Sequence, residues 1–246
     1  MKKEILDIRL KVIIIFALMI GLFFTFAPFQ NFTVSMFSEE LPSLEKYLGD
    51  NFAENLKDWN FYITSQWFGK NFGQFVPIIS IILAFSLFSR EYERGTIEFL
   101  VARLPRRKIF INKLLVSLIT LIIIIFTLSI LPSIYSIITA KDFNHSLVFK
   151  FMVHVLIGGF FWYSITLLFS VIFNTQIKSL FTSAILLTIT TTLGFIKPLG
   201  FMNTYKYILG SELFTNGVNW IYSIILLLIG SFCIYFAYYI FEKKEI

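Results

Sequence analysis

Ser89 to Lys113 reads SREYERGTIEFLVARLPRRKIFINK and holds seven of the chain's 21 Lys and Arg residues. Apolar runs flank it on both sides, Phe72–Ser89 before and Leu114–Ile138 after. A helix needs about 20 apolar residues to cross a hydrocarbon core, so each flank is long enough. A charged segment held between two such runs reads as a loop joining two membrane spans.

Working outward, four more runs qualify: Val12–Phe29, Leu147–Phe173, Ser179–Ile196 and Trp220–Phe241. The first exceeds the apolar region of a signal peptide, about 7–15 residues, and so reads as a span. Helices are expected because each satisfies its own backbone polar groups in lipid. The alternating pattern of barrel strands is missing. Composition agrees, with 57% hydrophobic residues, 31 Phe and only 15% charged residues. Mean hydropathy is +0.78. A soluble domain carries about 25% charged residues. The expectation is an all-α integral membrane protein with six transmembrane helices, forming one domain over residues 1–246.

Orientation follows the Lys and Arg bias of the loops. With the N-terminus inside, the inner side holds 14 of the 21 basic residues. This predicts cytoplasmic N- and C-termini, an outward loop 30–74, an inward loop 90–113 and an outward segment 197–219. Residues 41–59 repeat Leu, Phe and Trp at helical spacing, which predicts a helical outer loop. Trp59, Tyr62, Trp67 and Phe68 suit the membrane–water interface.

The loop's chemistry can be read residue by residue. Gly95 allows a turn, and Thr96 is placed to cap a helix. Glu98 sits in the first turn, where the helix dipole favours an anion. Ile97, Leu100, Val101 and Leu104 share one apolar face, and Pro105 stops the helix. Arg106, Arg107 and Lys108 are placed to meet anionic headgroups. The result is a short amphipathic helix, suited either to the membrane surface or to a soluble partner's groove.

Energy-converting chemistry is missing. No phosphate-binding loop of the form G-x-x-x-x-G-K-[ST] occurs, and no H-E-x-x-H or G-x-S-x-G. His145 and His154 are the only histidines, and Cys233 the only cysteine. No catalytic, cofactor-binding or metal site is expected, and no nucleic-acid partner. Uphill work would need energy from another chain.

The pattern carried by Glu91, Glu93, Arg94, Gly95, Thr96, Glu98, Leu100, Pro105, Arg106 or Arg107, Ile109 and Lys113 resembles the first cytoplasmic loop of type-2 ABC transporter permeases. The close match covers about 25 residues. The resemblance implies a coupling helix between spans two and three that docks on a separate ATP-binding-cassette ATPase. The docking set would be Glu91, Glu93, Arg94, Gly95, Thr96, Ile97, Glu98, Leu100, Val101, Leu104, Pro105, Arg106 and Arg107. It also implies a second permease copy, as homodimer or heterodimer, lipid contacts and a bacterial or archaeal cytoplasmic membrane. A surface-lying helix over Lys2–Lys11 and an outer segment dipping into the leaflet at 197–219 belong to the same picture. The implied function is ATP-driven export of a drug, peptide or lipid. Two other classes stay open: a membrane-embedded enzyme acting on lipids, drawing on Glu91 and Glu93, and a sensor subunit for antimicrobial peptides.

Overall fold

The computed structural model describes residues 2–35, 52–210, 213 and 217–245. Among these residues the regular elements are all helical. The longer helices are α1 (Lys2–Phe24), α2 (Phe72–Ala84), α3 (Thr96–Arg103), α4 (Arg106–Ile138), α5 (His145–Ile172), α6 (Gln176–Leu193) and α7 (Trp220–Lys243). Five runs are long and apolar enough to cross a membrane: Glu4–Ser35, Trp59–Glu93, Arg106–Ile138, His145–Ile172 and Trp220–Lys243.

The expected span over Ser179–Ile196 corresponds to α6, which is not among the five. Its 18 residues rise about 27 Å, just short of a hydrocarbon core of about 30 Å. It also carries Lys178 and four threonines between 188 and 192. The hydroxyls of Thr188, Thr190 and Thr191 donate to carbonyls one turn back in the same helix. That hides their polarity from apolar surroundings.

Helix α5 is the central post. Phe151, Val155, Trp162, Tyr163, Leu167 and Val171 on it are fully buried. Close approach depends on its glycines. A Cβ on Gly159 would lie 2.7 Å from Ile125 of α4 and 3.2 Å from Val76 of α2. By contrast, α1 and α7 leave most of their apolar side chains exposed, as lipid-facing helices do.

Two expectations need correction. Residues 2–11 do not form a separate surface helix but run straight into α1. Span two begins near Trp59 rather than Phe72, since helix Trp59–Thr64 and a π-helix over Ser65–Asn71 lead into α2. Trp59, Tyr62, Trp67 and Phe68 are buried in the bundle rather than exposed on its surface. The indole of Trp59 donates to Ser136 at 2.7 Å and that of Trp67 to the Leu128 carbonyl at 2.9 Å. Of the outer helical cap, the part over 41–48 lies outside the described residues, while a short helix covers Phe52–Lys57.

The segment between α6 and α7 folds back along α5. Helix Thr204–Ile208 buries Tyr207 and Ile208. Ile208 packs on Gly158, and Thr204 accepts a bond from the Trp162 indole at 3.0 Å. Trp162 lies about 26 Å from the start of α5, at 1.5 Å per residue. The segment thus reaches about three-fifths of the way down that 28-residue helix. His154 is buried beneath it, stacked 4.3 Å from Tyr207, with Nδ1 2.9 Å from the Lys150 carbonyl.

Candidate functional site

The start of α1, the end of α7 and the loop between α2 and α4 meet at one end of the bundle, called the basic end here. After Ala84 the chain turns, and the amides of Phe88 and Ser89 donate to the Ser170 hydroxyl of α5. A short helix follows over Ser89–Glu93. Gly95 then takes φ +66, a left-handed conformation that glycine adopts without penalty. α3 starts directly after it. Leu104 is extended, at φ −138 and ψ 144, because a residue before proline is pushed out of the helical region. The Pro105 carbonyl accepts from the Lys108 and Ile109 amides and begins α4.

Thr96 does not cap α3 through its side chain, as its spacing suggested; Gly95 occupies the cap position. The Thr96 hydroxyl instead donates to the Glu91 carboxylate. Glu91 is buried and also meets Lys113 of α4 at 3.1 Å. Lys113, 2% exposed, meets Glu4 of α1 at 2.9 Å. One lysine therefore joins α1, the loop and α4. Burying such charges costs several kcal/mol per ion unless each is paired, on the order given for protein interiors; here each is. A second pair, Arg90 with Asp7, makes the same link between loop and α1 at a more exposed position.

Three further cations of this end cap helices. Three helical runs end here, with carbonyls that lack intrahelical partners. Lys11 donates to the Ile82 carbonyl of α2 at 2.8 Å. Lys244 donates to the Val171 and Ile172 carbonyls of α5 at 2.7 and 3.0 Å. Arg106 donates to the carbonyls of Phe241, Glu242 and Lys244 at 3.0, 2.9 and 2.6 Å. Lys244 also sits 3.9 Å over the Tyr92 ring, and burial lowers its pKa from the ordinary lysine value.

The docking set inferred from sequence is thus divided. Glu91 is buried in the ion cluster, and Glu93 accepts from Gln176 at the start of α6 at 2.6 Å. Ile97 is 3% exposed, and Leu100 and Val101 pack half-buried against the core. Arg106 is half-buried in its capping role. Arg94, Gly95, Glu98, Leu104, Pro105 and Arg107 are exposed. The sequence reading passed over Phe99, 69% exposed, and the parts played by Glu4, Asp7 and Lys113. Only Lys113 carried a signal, as an isolated cation at the edge of an apolar run.

Among the described residues no group of His, Cys, Asp and Glu gathers in a form that could hold a metal ion. The arrangement sets a short helix at one end of the bundle, joined by charge to α1 and α4 and by the chain itself to α2. A family model described as ABC-2 family transporter protein matches residues 1–246. No curated protein and no solved structure matches the chain.

Proposed function

This chain belongs to the ABC-2 family of transporter proteins, and from that premise we propose that it is the permease subunit of an ATP-driven exporter. Multi-pass membrane helices and family membership make it a transport permease rather than an enzyme, and the family implies an ATP-binding subunit. In the proposed assembly α6 is the sixth span, the basic end is cytoplasmic, and two permease copies face each other. The ATPase binds the loop 90–113. Movement of its domains on ATP hydrolysis pulls on α3, and the pull passes to α2 and α4. The Lys113 cluster adds α1 to the moving set.

The observation that carries this reading is α3 itself, set at the bundle end between two spans with its outward face open. The rival enzymatic reading needs Glu91 and Glu93 as reactive carboxylates, yet Glu91 is taken up by Lys113 and Thr96, and Glu93 by Gln176. The test is co-purification of the ATP-binding-cassette ATPase encoded nearest this gene with the tagged permease. Association is expected with the native loop and lost when residues 96–104 are replaced by a Gly-Ser linker. Association that survives the replacement contradicts the reading.

A further inference from the structure

We propose that the partner-binding face of α3 is the face opposite its amphipathic stripe, anchored by Phe99 and received by an apolar pocket rimmed with carboxylates. This rests on the reading of the loop as the ATPase contact and assigns the contact's chemistry.

Helical spacing places Ile97, Leu100, Val101 and Leu104 on one side. The structure turns that side toward the bundle, with Ile97 3% exposed and Leu100 and Val101 packed against the core. Ile97, Leu100 and Val101 are therefore not free for a partner, while Leu104, extended just after the helix, is exposed. At about 100° per residue, Phe99 lies roughly 200° from Ile97, on the side turned away. It is 69% exposed on a short helix whose other large side chains are charged or packed. Aromatic and arginine side chains are the usual anchors of protein interfaces, because they bury much area in a desolvated pocket.

Charge identifies the kind of pocket. Arg94, Arg103, Arg107 and Lys108 are exposed on the loop that carries Phe99. Arg106, which the sequence would group with them, is held by the end of α7. Within residues 90–113 the exposed acids beside these four cations are Glu98 and Glu93, and Glu93 is bonded to Gln176, while Glu242 and Glu245 are exposed at the end of α7. A partner surface complementary to this one is acidic at its rim and apolar at its centre. An anionic membrane surface would also meet the cations. The bundle lies on the Ile97 side of α3, so Phe99 faces away from the chain's own helices, and crosslinking from position 99 separates a protein partner from lipid.

The test uses the full chain co-expressed with the ATPase encoded nearest its gene. A photo-crosslinking residue is placed in turn at positions 97, 99, 101 and 103. Crosslinks to the ATPase are expected from 99 and 103 and not from 97 or 101. Phe99→Glu should lower ATPase co-purification about tenfold or more, since it removes the buried ring and opposes an acidic rim. Phe99→Leu should retain most of it, and membrane expression should stay constant because the side chain is exposed. Crosslinks from 97 and 101 with none from 99 would overturn the assigned face and leave the loop reading intact. Crosslinks from 99 to lipid alone would overturn both. So would the lack of a crosslink to the ATPase from any of the four positions.

Discussion

Lys113 and Glu91, 22 residues apart in the chain, meet at 3.1 Å with the lysine almost wholly buried. On its other side Lys113 holds Glu4. Two carboxylates share one ammonium, so removing the cation takes a buried charge partner from both.

Lys113→Met should therefore cost on the order of 3–5 kcal/mol, the usual penalty for breaking a buried pair by deleting one partner. Lower yield and a lower thermal midpoint in detergent are expected. Adding Glu91→Gln to that variant should restore part of the loss, because it removes one stranded charge. An unchanged midpoint for Lys113→Met would show that the cluster carries no stability.

Arg106 and Arg107 look interchangeable in the sequence, and the structure separates them. Arg106 reaches three carbonyls at the end of α7, whereas Arg107 is exposed. Arg106→Leu should cost about 1–2 kcal/mol, through lost charge-assisted bonds to a helix terminus. Arg107→Leu should leave the thermal midpoint within error. Equal effects would contradict the capping assignment.

Gly158 is the seat of Ile208 in the returning segment. A Cβ there would come within 2.3 Å of Ile208 Cγ1. Gly158→Ala should destabilise by about 1–3 kcal/mol through overpacking. Shortening Ile208 to Val or Ala in the same chain should recover part of the loss. If the pair behaves additively, the two residues are not in contact.

The sidedness of the loop can be read by single cysteines in a Cys233→Ser background. An impermeant thiol reagent on intact cells should label position 142, between α4 and α5, and spare position 107. Labelling of 107 alone would invert the orientation and remove the loop from the ATPase's side.

Much of the loop was legible because its punctuation is local. Gly95 and Pro105 act on their own backbone, and α3 falls between them as expected. The face that α3 buries was not legible, since a stripe of Ile97, Leu100 and Val101 serves equally well for the chain's own core or for a partner. The start of span two was obscured by Asn60, Gln66, Lys70 and Asn71, which dilute its hydropathy. The structure finds local uses for some of these: Asn60 accepts from the Asn144 amide, and Asn71 bonds the Gln66 carbonyl inside the π-helix. The family resemblance suggested a surface helix over residues 2–11. Glu4, Asp7 and Lys11 instead find partners on the loop, α4 and α2, which lets α1 run straight through.

The most direct test of the central claim, a permease powered by a separate ATPase, is ATP hydrolysis by the purified chain with and without that subunit. The chain has no phosphate-binding loop. Alone it should show no saturable hydrolysis, while the co-purified complex should hydrolyse ATP at a rate that falls when residues 96–104 are replaced. Saturable hydrolysis by the contaminant-free chain alone would contradict the account.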